Sequence, residues 1–455
     1  MIVKLLLDRK REGGELAPEE IRALVDAYTR GDVPDYQMAA FAMAVCCRGM
    51  TAAETHALTD AMQHSGACLS WTGPSADKHS TGGIGDKLSL VIQPLAASCG
   101  LSVPSLAGRG LGLTGGTVDK IESIPGYNAA LSLDEFKRVV ASCGVSIAAQ
   151  TAEIAPADKK LYALRDVTGT VPSIPLIVGS ILSKKLAEGA GTLVFDVKCG
   201  AGAFMKTRAD ACALARALVE GAKAAGRRAA ALVTAMDEPL GWTVGNALEV
   251  EEAIEVLRGG NVQDARCPSC GQNARHPDDV VELSVELAAR MVSLAKGEGL
   301  DEARAACRAN LANGAAFARF AEMVKLHGGD LDAFLAQRRV EDVSSGRDAS
   351  PRRPPGRAVA AADGFVASID AQKVGQAAFE LGAGRAQATD AIDPAAGVRL
   401  LVTHGDKVSA GQPLAQLHAP TRPERLPAAA QLVHEAIAVS SSAPAPKPLI
   451  LEVVE

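Results

Sequence analysis

Asp77-Lys78-His79-Ser80-Thr81-Gly82-Gly83-Ile84-Gly85-Asp86-Lys87 is the stretch from which the rest of the chain can be read. Glycines here stand beside two hydroxyls, a histidine and lysine. Backbone N–H groups freed by glycine, together with Ser, Thr and Lys, make a cradle for an oxyanion. An apolar helix is expected to follow as far as Gly100, with Ser89 in its first turn. Its N-terminus would add unpaired N–H groups and partial positive charge. His79 is expected to carry a proton near neutral pH. An anion cradle with an acid/base group inside it makes phosphate a reactant rather than only a handle. The plainer reading is a Gly-rich turn, but Lys, His, Ser and Thr together favour phosphate.

Outward from this loop the grammar is α/β. Leu193-Val194-Phe195-Asp196-Val197-Lys198 and Ala229-Ala230-Ala231-Leu232-Val233-Thr234 read as buried strands ending at loops. Between the cradle and the second of these, Ile174 to Glu188 reads as a helix, with Pro175 near its start and Gly189 just past its end. Residues 1 to about 67 read as helices only. Pro18 opens one of them, and Thr51-Ala52-Ala53-Glu54 has capping-box spacing before another. Asp35 to Val45 is apolar nearly all round, which predicts burial or a subunit interface. Val343 to Arg357 is polar and rich in Pro and Arg, and reads as a linker. From about 358 the chain shows little helical period, and short strands around tight turns are expected. The Pro/Ala-rich tail from Ala419 to Lys447 is expected to be partly mobile.

Bulk properties exclude several functions. A chain of 455 residues with 48% hydrophobic content is expected to build two or three domains. Aromatic content of 3%, a net charge of −6 and no dense basic stripe argue against nucleic-acid binding. No apolar run approaches the roughly 20 residues a membrane helix needs. The start, Met1-Ile2-Val3-Lys4-Leu5-Leu6-Leu7-Asp8-Arg9-Lys10, turns charged too soon for a secretory signal. Cysteines scattered in apolar surroundings, such as Cys46, Cys47, Cys99, Cys143 and Cys212, fit a reducing, cytoplasmic setting.

Three further constellations carry possible chemistry. Gly108-Arg109-Gly110-Leu111-Gly112-Leu113-Thr114-Gly115-Gly116-Thr117 contains GxGxxG, but a dinucleotide fingerprint needs a full helix after it. Ile124-Pro125-Gly126 stops any helix within about two turns, so a second oxyanion-facing loop with Thr117 as donor is the better account. Next, Ser180 and Lys184 lie four apart on the predicted helix and share a face. With Arg165 they could hold the carbonyl and imide edge of a flat heterocycle. On spacing alone the plainer reading is favoured: a solvated face with ion pairs Arg165–Asp166 or Lys184–Glu188. Last, Cys267-Pro268-Ser269-Cys270 with His276 is half a zinc site without a second pair, so a polar surface insertion is expected and no metal. His56, His64, His327, His404, His418 and His434 stand outside any such cluster and are expected to be structural or solvated.

Taken in order, these segments resemble the thymidine and pyrimidine-nucleoside phosphorylases over about residues 1–420. The motifs carrying the resemblance include Lys78-His79-Ser80-Thr81-Gly82-Gly83, Gly108-Arg109-Gly110-Leu111-Gly112, and Thr114-Gly115-Gly116-Thr117 with Asp119 and Glu122. Leu164-Arg165-Asp166-Val167-Thr168, Asp196-Val197-Lys198, Gly202-Ala203-Phe204-Met205 and Gly245-Asn246-Ala247-Leu248-Glu249-Val250 continue it. The resemblance implies an all-α lobe from 1–67 and 155–190, and an α/β phosphate-binding domain from 68–154 and 191–342. After the linker at 343–357 it implies a C-terminal α+β domain at 358–455. It implies a homodimer through the helical lobe, with the two lobes closing on a pyrimidine nucleoside and inorganic phosphate, and no other cofactor. By the same resemblance Lys78, Ser80, Ser89 and Thr117 are phosphate ligands, His79 is the acid/base group, and Arg165, Ser180 and Lys184 hold the base. Some relatives place potassium at positions matching Gly85, Lys87, Leu240, Thr243 and Glu252; here the Lys87 ammonium is expected to replace the ion and pair with Glu252. Two positions depart from the pattern. Ala107 stands where serine is usual and Leu113 where histidine is usual, which bears on phosphate affinity and substrate choice.

Other readings remain open at this level. They are a phosphorylase for nucleoside 5′-monophosphates or modified nucleosides, and a nucleoside-binding protein without catalysis. A third is a carrier domain at the C-terminus, which Lys373 counters because Ile369 to Gly375 reads as a helical turn rather than an exposed hairpin.

Overall fold

The computed structural model describes residues 2–110, 112–259, 278–346, 357–387 and 389–455. The chain opens with four helices, α1 (Val3–Arg11), α2 (Pro18–Arg30), α3 (Asp35–Arg48) and α4 (Ala52–Gln63). The capping box at α4 is present: Thr51 Oγ1 accepts from Glu54 N at 3.2 Å, and Glu54 Oε2 accepts from Thr51 N at 2.8 Å. The same carboxylate pairs with buried Lys10 at 2.8 Å and so ties α1 to α4. Helix α3 buries Met38, Phe41, Ala42 and Val45 but leaves Tyr36 and Met43 exposed, so only one of its apolar faces is covered within the chain.

Next come β1 (Ala76–Ser80), α5 (Leu88–Ser98), β2 (Val103–Ala107), α6 (Thr117–Ile121), α7 (Leu133–Cys143) and β3 (Val145–Ala149). The chain then returns to the helical lobe with α8 (Pro156–Thr168) and α9 (Ile174–Ala187). Ala157, Leu161 and Leu176 join one core with residues of α1 to α4. The return passes through Ala155, a non-glycine residue at φ +45°. That left-handed backbone costs roughly 1–2 kcal/mol, and burial of Ile154, Ala155 and Ala157 holds it.

Strands β4 (Thr192–Cys199) and β5 (Arg228–Ala235), separated by α10 (Arg208–Ala224), extend a parallel sheet in the order β1-β4-β5. β2 and β3 pair in parallel alongside, joined to β1 by a bridge from Ser75 to Ser102. Strand β4 is buried along its whole length, as expected for a strand covered on both faces. β6 (Thr243–Val244), α11 (Asn246–Leu257), α12 (Asp278–Lys296), α13 (Leu300–Ala312), α14 (Ala315–Leu326) and α15 (Leu331–Gly346) complete this part.

The C-terminal part departs most from what the sequence predicts. Helix α15 runs to Gly346, so the segment from Val343 begins as helix rather than linker. β7 (Arg357–Val359), β8 (Gly364–Ile369), α16 (Ala371–Leu381), β9 (Gly397–Leu400), β10 (Lys407–Val408), β11 (Pro413–His418), α17 (Leu426–Ala436), β12 (Ile437–Ser440) and β13 (Ile450–Val454) follow. Two amphipathic helices thus stand where little helical period was expected, and the tail contains α17 and β12 rather than loose chain. The Ala-rich stretches hid them, because alanine marks helix propensity but no apolar face. Lys373 lies on α16, at its capped N-terminus, as expected. β6 joins β9, β11 and β7 in one sheet, and β13 comes back to pair antiparallel with β5. The C-terminal part is therefore paired with the preceding part at two places, β13 with β5 of the central sheet and β9 with β6. Among the described residues no helix is long and apolar enough to cross a membrane. The cysteines among them are free, and Cys267, Cys270 and His276 lie outside the described residues.

Candidate active site

The cradle lies where β1 ends. Ser80 Oγ donates to Asp86 Oδ2 at 2.5 Å and accepts from Gly82 N at 3.1 Å, which closes the loop into a tight turn. Thr81 clips it to β4: its N donates to Asp196 O at 3.0 Å and its Oγ1 accepts from Lys198 N at 2.9 Å. Gly85, at φ +74°, is required, because a Cβ there would stand 2.6 Å from Leu240 O. Helix α5 then begins at Leu88 with Ser89 partly buried in its first turn.

Beneath the loop lie buried charges. Lys78 has a fully buried side chain, with Nζ 3.4 Å from Asp196 Oδ2 and 4.0 Å from Asp86 Oδ1. Among the described residues this ammonium has no hydrogen-bond partner. Lys198 Nζ sits 2.8 Å from Asp196 Oδ2, and Lys120 Nζ donates to Asp86 O at 2.7 Å and pairs with Glu249 at 2.7 Å. Burial pushes the Asp86 carboxyl up, but Lys78, Lys198 and Lys120 outweigh it and hold it below the usual carboxylate range. An anion entering here would meet cations that are already desolvated.

His79 differs from expectation. Its imidazole is pushed well below the ordinary histidine value, first by burial and then by the ammonium groups of Lys185, Lys184 and Lys78, against the pull of Asp86. These influences favour the neutral imidazole over the protonated one. The sequence placed Lys78 beside His79 in the cradle, but not the influence of Lys184 and Lys185 from α9.

The second glycine loop also spends donors internally. Asp119 Oδ2 accepts from Gly110 N at 2.6 Å and from Gly116 N at 2.8 Å, so these N–H groups are not free for an oxyanion. Arg385, from the C-terminal part, pairs with Asp119 at 2.8 Å and exchanges backbone hydrogen bonds with Gly112 at 2.9 and 3.1 Å. α6 is a single turn and a half, as the Ile124-Pro125-Gly126 stop required, and Thr117 is its first residue. Ala107 ends β2, and Leu113 packs toward Gly375 of α16 and the core rather than standing free.

Helices α8 and α9 bring the third group. Lys184 Nζ donates to Ser180 Oγ at 2.9 Å and pairs with Asp158 of α8 rather than with Glu188. Arg165 is 1% exposed and donates to three backbone carbonyls, Thr170 at 3.3 Å, Val171 at 2.9 Å and Leu176 at 2.9 Å. In this conformation it clasps the α8–α9 turn, and only its remaining N–H groups are free. The surface pair with Asp166 does not form.

The cation position is built as expected. Lys87 Nζ donates to Leu240 O at 2.8 Å, Thr243 O at 3.0 Å and Glu252 Oε2 at 2.7 Å, and the residue is 1% exposed. Glu252 also accepts from Trp242 N at 2.8 Å and Thr243 N at 2.9 Å. Gly241 is at φ +71°, and a Cβ there would collide with Glu252 and Lys87. A potassium ion does not fit these residues, because the ammonium takes the same oxygens. Of the other histidines, His327 bonds Ser146 at 2.9 Å and Asn128 O at 2.8 Å and stacks on Tyr127, a structural role.

A glycine cradle at parallel strand ends, beside a lobe of separate helices, makes this a two-lobed α/β protein. The glycosyl transferase family helical bundle domain matches residues 4–66, and the a/b domain of that family matches 72–317. The pyrimidine nucleoside phosphorylase C-terminal domain matches 365–440. The chain is 42% identical over 445 residues to a pyrimidine-nucleoside phosphorylase of Geobacillus stearothermophilus, covering 96% of each chain. It is 43% identical to a thymidine phosphorylase of Agrobacterium fabrum, covering 99% of each. Among solved structures, anthranilate phosphoribosyltransferase from Thermus thermophilus superposes with TM-score 0.55 at 19% identity, over 70% of this chain and 98% of that one, a likeness of fold alone. The chain belongs to the thymidine and pyrimidine-nucleoside phosphorylase family.

Proposed function

We propose that this chain catalyses phosphorolysis of pyrimidine nucleosides, with thymidine as the first substrate to try. The observation that carries the reading is the buried, hydrogen-bond-free ammonium of Lys78 beside the Ser80 turn and the start of α5. Near-full-length similarity to relatives named for this activity supports it. Lys78, Ser80, Ser89 and Thr117 bind phosphate, and Ser180, Lys184 and the free N–H groups of Arg165 hold the pyrimidine. Phosphate oxygen attacks C1′ as the bond from C1′ to the base breaks, and the electron pair leaves with the pyrimidine. Lys184 and Arg165 stabilise the charge developing on the base carbonyls and ring nitrogen. His79, neutral in the free protein, donates a hydrogen bond; the negative charge of bound phosphate raises its proton affinity during the reaction. Lobe closure excludes water and favours phosphate over hydrolysis.

No resident metal is required, because the Lys87 ammonium does the structural work of a monovalent cation. Two copies associate through the helical lobe, where Tyr36, Met43, Tyr162 and Val167 leave apolar side chains exposed; analytical ultracentrifugation reading a monomer mass would remove that part. The activity is tested by free-base release from thymidine, uridine and deoxyuridine, with and without phosphate, followed by chromatography. Phosphate-dependent release is expected. Release only from thymidine 5′-monophosphate, or none at saturating phosphate, would overturn the assignment.

A further inference from the structure

Lys185 stands next to the base-site residue Lys184 but points elsewhere. Its side chain is 2% exposed, and its ammonium holds three partners: Asp77 of β1, Leu106 O of β2 at 3.0 Å, and Glu188 Oε2 at 3.0 Å. Asp77 directly precedes Lys78 and His79, and Leu106 lies two residues before the second glycine loop. The opposite oxygen of Asp77 accepts from Gln93 Nε2 of α5 at 2.8 Å, and that amide also reaches Ser105 Oγ of β2 at 3.0 Å. Burial and Asp77 push Glu188 well above the usual carboxylate range. Asp77, which acts on Lys185 more strongly than Glu188 does, is therefore the principal counter-ion of the cluster.

We propose that Lys185 is a positioning residue: its ammonium locks the strand bearing Lys78, His79 and Ser80 and the exit of β2 to the helix bearing Ser180 and Lys184. Consecutive side chains of one helix thus serve different ends, Lys184 turned to Asp158 and Ser180, Lys185 fixing where the phosphate half stands against that face. The reaction needs attacking phosphate and departing base held on one line through C1′. A misplacement of about 1 Å between such groups costs on the order of 100-fold in rate. A buried pair that loses one member leaves an uncompensated charge, so the informative variant removes both charges together. The inference rests on the phosphorolysis reading for its kinetic arm only.

The test compares Asp77→Asn/Lys185→Met with wild type by circular dichroism and thermal melting, by steady-state kinetics in both substrates, and by NMR titration of the His79 imidazole. His79 is faced by Lys185 and Lys184 from α9, by Lys78 from its own strand and by Asp86 from the loop. The folded double variant is expected to lose at least 30-fold in kcat, with both KM values within about threefold and the His79 midpoint displaced upward. A loss in kcat alone marks misalignment rather than lost binding. A kcat within threefold of wild type would overturn the proposal. Should the double variant not fold, Lys185→Arg decides, since it keeps the charge but changes length and donor geometry. A tenfold loss in kcat with unchanged KM supports positioning, and wild-type kcat refutes it. If wild type itself releases no base, the functional reading fails separately, and an unmoved His79 midpoint in the double variant would then refute the role of Lys185.

Discussion

Two lysines nine residues apart, one on β1 and one at the start of α5, meet opposite fates. Lys87 is buried and its ammonium is fully engaged by two carbonyls and a carboxylate. Lys78 is equally buried, yet its ammonium has no hydrogen bond among the described residues and only loose approaches to Asp86 and Asp196. A desolvated cation without hydrogen bonds costs stability. On the proposed function, an arriving phosphate supplies the hydrogen bonds that Lys78 lacks. On that reading Lys87 serves the fold and Lys78 a ligand.

The comparison breaks most directly at Lys78. Lys78→Met is expected to lower kcat/KM for phosphate by roughly 1000-fold, about 4 kcal/mol of transition-state stabilisation. Its melting temperature should match or exceed wild type, since a strained cation is removed; a large fall in melting temperature would make Lys78 structural after all. Lys87→Thr should do the reverse. Stranding Glu252 in the interior is expected to cost about 3 kcal/mol, seen as a lower denaturant midpoint, with potassium chloride restoring more stability than lithium chloride. Equal effects of the two salts would deny that the ammonium replaces an ion.

His79→Ala keeps the fold and loses about 100-fold in kcat; full activity would remove His79 from the reaction. A smaller effect follows from acid. His79 and His327 have values lowered by burial, and burial with Arg399 and Arg338 lowers His418 to about 4. Unfolded histidines near 6.5 bind protons that the folded ones refuse, so the unfolded state gains protons first. Stability from these groups is complete above pH 6.5 and falls as pH drops toward 4, by at most about 2–3 kcal/mol for His418. Denaturant midpoints at pH 7.5 and 5 should show this loss, and His418→Gln should reduce it; an unchanged difference would acquit His418. At the small end, Glu188→Gln should alter kcat by less than threefold, because Asp77 is the principal counter-ion of Lys185 and burial pushes the Glu188 carboxyl well above the usual range. A large loss would mean that it carries charge beside Lys185.

The cradle, the strands 192–199 and 228–235 and the helix 174–187 were legible because period, glycine and proline act locally. The resemblance named the family correctly, and the Lys87–Glu252 pair stands where it was expected. Less legible were Asp196 and Lys198. Alternate charges inside an apolar strand were a usable sign that one face of β4 meets other charges. Nothing local marked Asp158, Arg385 or the Asp77–Lys185 pair, whose partners come from distant segments.

By itself, the amino-acid sequence determined the family and where the glycine loops and helix starts fall, because these are written within a few residues. Tertiary structure alone decided their charge states and who holds whom. His79 has its proton affinity lowered, Arg165 clasps a turn and β13 closes on β5 because burial and groups from other segments set proton affinity and pairing. Those influences act through space, over separations the local sequence does not encode.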